Sequence, residues 1–211
     1  MPRLPARPFL YAIVDTQLLA GRPVAEVVRA LARGGASLVQ VRTKLGDDRE
    51  RVRLAREACA VAREVGVPLV VNDRADIARI VGADGVHVGQ DDLPPAAARA
   101  VVGPDAIVGV STHDPEQASK AAAEPVDYVA FGPVFPTRTK ANPDPVVGLA
   151  GLRAIRRLVA RPLVAIGGIT RQNAADVVAA GADGVAVISD LLFDTDLEGA
   201  ARAFREALRT Q

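Results

Sequence analysis

The chain has 211 residues, 49% of them hydrophobic and 3% aromatic, with no Trp and one Cys. Lys and Arg number 26 against 25 Asp and Glu, so no global field draws the molecule to nucleic acid or a membrane, and few rings are left for bases to stack on. Cys59 has no partner for an internal disulfide, and no run of about 18 apolar residues is available to span a bilayer.

The opening MPRLPARP carries charge and proline but no apolar segment before a cleavage site, so a soluble, cytoplasmic setting is the expectation. The first apolar run, FLYAIVD (9–15), is followed by a helical period over 24–34. SLVQVR (37–42) leads to a helix at 48–65, where AREACAVARE places Cys59 as a small residue facing the core. PLVVN (68–72) leads to a helix at 74–81, and GVHVG (85–89) to one at 94–101. AIVGVS (106–111) precedes a helix at 115–123. DYVAFG (127–132) opens into GPVFPTRTK and ANPDPVVG, a proline-broken stretch ahead of a helix at 149–160. PLVAIG (162–167) and GVAVIS (184–189) precede helices at 171–180 and 197–209.

GGASLVQVR, VGADGVHVGQ and AGADGVAVIS each end a helix on Gly and turn straight into a strand. The strands read as near-continuous apolar runs, the pattern of a parallel sheet covered on both faces. Eight such units over 1–211 predict an α/β protein, a single (β/α)₈ TIM barrel domain, with an open doubly wound sheet as the alternative. The irregular segment at about 133–148 reads as a lid loop, since loops of that length are usually functional or disordered.

Barrel active sites form at the C-terminal ends of the strands, and polar residues collect there. The second strand ends Gln40-Val41-Arg42-Thr43-Lys44, the third Asn72-Asp73, the fourth His87 to Asp92, and the fifth Ser111-Thr112-His113. The sixth opens into Thr137-Arg138-Thr139-Lys140, the seventh ends Gly167-Gly168 and the eighth Ile188-Ser189. Apart from Asp15 of the first strand, the opposite ends carry mostly Gly, Pro and Ala.

Gln40 and Arg42 alternate onto one face and Lys44 reaches the same space, which suits an anion. The plainer alternative pairs Arg42 with Asp73 and leaves Lys44 solvated. Asp73 with Asp92, or with Asp91 in its place, would suit Mg²⁺, and helix capping is the simpler role for either alone. His87 reads as a core histidine, and His113 as either structural or catalytic, with no acid near it in sequence to form a relay. The GGIT turn and the end of the eighth strand are where such barrels commonly take a phosphate. Two anion sites therefore flank the 133–148 loop. One pairs cations with metal ligands, as pyrophosphate needs, and the other suits a monophosphate.

QVRTK, VND, HVGQDD, GVSTH, GPVFPTRTK, AIGGIT and AVIS, in this order, give a chain that resembles the thiamine-phosphate synthase family along almost its whole length. The resemblance implies a transferase joining 4-amino-5-hydroxymethyl-2-methylpyrimidine diphosphate to a thiazole phosphate, or its carboxylated form, with release of pyrophosphate. Carried over by position, Gln40, Arg42 and Lys44 would hold the diphosphate substrate, Asn72 its ring and Ser111 the diphosphate. Asp73 and Asp92 would hold Mg²⁺, and Lys140 the pyrophosphate. Thr137 and Thr139 would bind on the thiazole phosphate side, with Gly168, Ile188 and Ser189 completing that pocket. Arg42, Lys44, Ser111 and Lys140 would be the residues acting on the departing group. Thr43 stands where many members carry Glu, a departure that touches none of the residues assigned a role here. The partners implied are small molecules, and a homo-oligomer stays open.

Three rivals remain. A thiazole tautomerase on the same barrel would use His113 as acid and base. A sugar-phosphate isomerase would leave the QVRTK cluster unexplained, and a phosphate-ligand sensor would bind without turnover.

Overall fold

The computed structural model describes residues 4–137, 139 and 144–209. Lys140, assigned above to pyrophosphate, lies outside them. Eight parallel strands close in sequence order, β1 (Phe9–Asp15), β2 (Leu38–Arg42), β3 (Leu69–Asn72), β4 (Gly85–Val88), β5 (Ile107–Thr112), β6 (Tyr128–Phe131), β7 (Leu163–Ile166) and β8 (Gly184–Val187). The last strand pairs back onto the first, Tyr11 opposite Ala186, which settles the barrel against the open sheet.

Around it run α1 (Val24–Gly34), α2 (Asp48–Val65), α3 (Ala75–Val81), α4 (Pro95–Val102), α5 (Pro115–Ala123), α6 (Gly148–Leu158), α7 (Ala174–Ala179), α8 (Ser189–Leu192) and α9 (Leu197–Arg209). Helix α1 buries Val24, Val27, Val28 and Leu31, one face at helical period. Helix α2 starts where the Asp47 carboxylate accepts the Glu50 N–H at 2.9 Å, a side-chain cap, and stops at the left-handed Gly66. Helix α9 buries Leu197, Ala200, Ala201, Phe204 and Leu208. Truncating the fully buried Phe204 to Ala would cost about 3–5 kcal/mol. The short α8 falls within what the sequence reads as strand end and loop.

Two apolar layers follow from the alternation of side chains along each strand. Leu10, Ala12 and Val14 face the helices, whereas Phe9, Tyr11 and Ile13 fill the barrel with Leu38, Val70, Ile107 and Tyr128. Tyr128 fits because Gly109 is its neighbour in the β5–β6 ladder. A Cβ on Gly109 would fall 2.0 Å from Tyr128 Cζ. The same alternation turns Gln40, Asn72, His87 and Ser111 inward above this layer.

The expectation that Gly, Pro and Ala dominate the opposite end is corrected. Asp84, Asp127 and Asp183, each just before an even-numbered strand, accept the backbone N–H of Leu69, Val108 and Leu163 at 2.7–2.8 Å. Each donates its own backbone N–H in return to the carbonyl of the same residue at 2.7–2.9 Å. Arg99 and Arg156 neutralise two of these carboxylates at 2.7 and 2.8 Å. This end is stapled for stability. Asp15, moreover, ends its strand on the other side, with the polar cluster.

Candidate active site

Above the apolar layer, at the C-terminal ends of the strands, lies a cavity of about 550 Å³. Gln40, Arg42, Lys44, Asn72, Asp73, Asp92 and Ser111 line one side. Thr137, Thr139, Gly168, Ile188 and Ser189 line the other. All the candidate residues within the described part of the chain therefore meet in one place.

The cations are not disposed as the plainer sequence alternative had them. Arg42 pairs with the buried Asp15, its ladder neighbour, rather than with Asp73. Lys44 pairs with Asp73 rather than standing alone in solvent. Asp73 holds a left-handed backbone (φ 63°), uncommon for a residue with a side chain, while its N–H donates to the His87 carbonyl at 2.7 Å. The Asp92 carboxylate accepts the Gly89 N–H at 2.7 Å, closing the turn after β4. Burial and then the adjacent Asp73 carboxyl hold the Asp92 carboxyl above its usual range, against the pull of the Gly89 N–H and Lys44. Two acids are thus held together at some electrostatic cost. Among the described residues no group of three or more His, Cys, Asp and Glu is arranged to hold a metal.

Beneath them a chain of polar side chains crosses the barrel, and the sequence reading missed its middle. Gln40 Nε2 donates to the Tyr11 hydroxyl, which lies 2.8 Å from the Tyr128 hydroxyl. His87 Nδ1 is 2.8 Å from that second hydroxyl, and Nε2 is 2.8 Å from Ser111 Oγ. Tyr128 meets Tyr11 edge-on at 5.8 Å and stacks on His87 at 5.6 Å. Burial depresses the His87 imidazole to about 4, partly opposed by Asp92, so the ring is neutral at physiological pH. His87 is buried with both ring nitrogens partnered, as its alternating strand implied, and its ring also reaches the cavity floor. The signal for the tyrosines was present too, since FLYAIVD and DYVAFG place the chain's two Tyr on inward-facing positions.

The far side is shaped by a glycine turn and the root of the 133–148 loop. Gly167 and Gly168 both have positive φ (96° and 63°). Asn173 locks the turn, accepting the Thr170 N–H at 2.8 Å and donating to the Gly168 carbonyl at 3.1 Å. Arg171 ties this loop to α8 through Asp190 at 3.1 Å. The root of the 133–148 loop is anchored, Val134 N–H to Ile166 O (2.9 Å) and Phe135 N–H to Gly167 O (3.0 Å). Val147 and Gly148 return to pair with Pro133 and Val134 at 2.9 and 3.1 Å. Thr137 and Thr139 place their hydroxyls 2.8 Å apart at the cavity edge. His113 meets an acid from across the fold, since its sequence neighbour Asp114 caps α5 instead. Its Nδ1 is 2.7 Å from Gly132 O and 3.5 Å from Asp144 of the loop.

Comparison with known proteins matches residues 10–191 to the family model described as thiamine monophosphate synthase. A thiamine-phosphate synthase of Koribacter versatilis is 53% identical over 89% of this chain and 90% of its own length. That of Chloroflexus aurantiacus is 47% identical over 93% and 90%. The structure of a thiamine phosphate pyrophosphorylase from Pyrococcus furiosus superposes with a TM-score of 0.85 at 38% identity, covering 95% of each chain. No helix among the described residues is long and apolar enough to cross a membrane.

Proposed function

Because this chain belongs to the thiamine monophosphate synthase family, whose members are transferases, we propose that it joins 4-amino-5-hydroxymethyl-2-methylpyrimidine diphosphate to 4-methyl-5-(2-hydroxyethyl)thiazole phosphate, or the carboxylated form of the latter. The observation that carries this reading is the division of one cavity into two unlike anion-suited walls. One holds Arg42, Lys44 and two facing carboxylates, and the other offers the backbone of Gly168 and Ser189.

In the reaction the bond between the pyrimidine methylene carbon and the diphosphate oxygen breaks. Its electron pair leaves with pyrophosphate, and the 4-amino group feeds density into the ring to stabilise the resulting cation. The thiazole nitrogen then gives its lone pair to form the new C–N bond, and with the carboxylated thiazole the carboxylate also leaves as CO₂, its bonding pair staying on the ring and taking up a proton. Arg42, Lys44 and Ser111 bind the charge that grows on the leaving oxygens, and such preorganised groups act most strongly where water is excluded. Asn72 orients the pyrimidine ring. Lys140, beyond the described residues, joins the diphosphate from the loop. Thr137 and Thr139, with Gly168, Ile188 and Ser189, hold the thiazole phosphate so that its nitrogen faces the methylene carbon. No enzyme nucleophile is required.

The donor set fits Mg²⁺, which takes one or two carboxylates and fills its shell with water and substrate phosphate. Asp73 and Asp92 supply such a pair, and the raised Asp92 carboxyl marks a position that a cation would relieve. When bound there, the ion would neutralise charge on the diphosphate.

The test is release of pyrophosphate by purified protein given the pyrimidine diphosphate, with and without thiazole phosphate, in Mg²⁺ or EDTA. Release that needs both substrates and Mg²⁺, matched by thiamine phosphate, is the expected result. The His113–Asp144 approach favours one second reading, thiazole tautomerisation. Tautomerisation without the pyrimidine, and no pyrophosphate release, would replace the first reading with it.

A further inference from the structure

We propose that the buried series Gln40, Tyr11, Tyr128 and His87 fixes the direction of the Ser111 hydroxyl, so that Ser111 presents a hydrogen rather than a lone pair to the anionic substrate. This deepens the functional reading above and rests on it for the identity of the anion.

With the Gln40 amide turned to donate, one order gives every hydrogen in the series an acceptor. Gln40 Nε2 only donates, and here it donates to the Tyr11 hydroxyl. Having accepted that bond, Tyr11 turns its own hydrogen to Tyr128, 2.8 Å away. Tyr128 in turn donates to His87 Nδ1 at 2.8 Å. A neutral imidazole carries one ring hydrogen, so when Nδ1 accepts, Nε2 bears it and donates to Ser111 Oγ at 2.8 Å. Ser111 then keeps its own hydrogen for the cavity it lines. Run in reverse, the chain would consume that hydrogen on His87 and turn lone pairs toward the phosphate oxygens.

Several features make one direction hold. The five side chains come from β2, β1, β6, β4 and β5, so the series spans the barrel from wall to wall. Tyr11 and Tyr128 are fully buried, which leaves water no place in the middle of it. Burial also raises both phenols above their ordinary range, which keeps them protonated. Neither tyrosine lines the cavity, so both are positioning residues acting through Ser111 and Gln40. Linked hydrogen bonds in a dry interior reinforce one another, and directions that met midway would leave a buried hydroxyl hydrogen without an acceptor.

The first test needs no substrate. Protein labelled with ¹⁵N-histidine is examined by long-range ¹H–¹⁵N correlation, and because the chain has two histidines, His113→Gln assigns the signals. His87 is expected to carry its hydrogen on Nε2, and a hydrogen on Nδ1 would overturn the proposal whatever reaction the protein performs. The second test is a double-mutant cycle of Tyr128→Phe and Ser111→Ala. Tyr128→Phe is expected to lower kcat/KM for the pyrimidine diphosphate roughly ten-fold, the scale of one lost hydrogen bond to a charged group, and to do nothing further once Ser111 is Ala. Additive losses would reduce Tyr128 to a packing residue and overturn the proposal. If the wild-type chain makes no thiamine phosphate, the functional reading fails by itself. The same cycle is then read on affinity for inorganic pyrophosphate, where coupled losses support the proposal and additive losses overturn it.

Discussion

Asp15 and Arg42 stand opposite one another in the β1–β2 ladder, and their side chains pair at the edge of the cavity. The carboxylate is almost wholly buried and the guanidinium is partly open to the cavity, so Asp15 holds Arg42 at the cavity without lining it. Replacing Asp15 with Asn leaves a half-buried cation without its counter-charge. KM for the pyrimidine diphosphate is expected to rise roughly ten-fold and stability to fall by about 1–3 kcal/mol, the scale for orphaning a buried charged partner. Steady-state kinetics and denaturant titration check both, and an unchanged KM would show that Arg42 needs no such support.

Asp92 is a carboxyl held beside another at a cost to stability. A carboxyl whose folded pKa lies above its unfolded one makes the native state the better proton binder, so folding weakens as pH rises through that window. Asp92→Asn removes this penalty. Without Mg²⁺ the variant is expected to melt at or above the wild-type temperature at pH 7, while activity with Mg²⁺ falls on the order of 10²-fold through lost charge neutralisation. A lower melting temperature with activity retained would contradict both halves.

Much of this was legible in the chain. Period-two alternation in SLVQVR puts Gln40 and Arg42 on one face because successive strand side chains point to opposite sides, and the barrel keeps that relation. Gly after a helical run marks helix ends because its left-handed conformation is cheap, as Gly35, Gly66 and Gly82 show. Pairings across the fold were not legible. Whether Arg42 meets Asp15 or Asp73 depends on ladder register, and Asp144 reaches His113 only because a long loop returns over the strand ends. Asp84, Asp127 and Asp183 read as turn residues until neighbouring strands supply the N–H groups they accept.

Gly168 tests the far wall. A Cβ there would lie 2.5 Å from Pro136 O and 2.7 Å from Phe135 Cβ, on a backbone at φ 63°. Gly168→Ala is expected to cost about 1–3 kcal/mol, because it sets left-handed strain against the anchored loop root. It should raise KM for the thiazole phosphate far more than for the pyrimidine diphosphate. Equal effects on both would mean that the two walls do not divide the substrates.

The neutral, buried His87 makes a pH prediction. Its folded value of about 4 lies below the usual value of about 6.5, so between these the unfolded chain binds more protons than the native one. Stability therefore falls as pH drops through that window, by up to about 1.4 kcal/mol per unit for this group. Denaturant titrations at pH 7.5 and 5.0 should show a larger loss for the wild type than for His87→Gln. Equal losses would mean that His87 takes up its proton without leaving its bonds.

Two substrates sharing one divided cavity is the central claim. The most direct measurement is a crystal structure with thiamine phosphate, pyrophosphate and Mg²⁺ all present. The prediction is pyrophosphate against Arg42, Lys44 and Ser111, with the metal on Asp73 and Asp92. The thiamine phosphate monoester is expected on the backbone of Gly168 and Ser189. Pyrophosphate on the glycine wall, or a metal held away from both carboxylates, would contradict it.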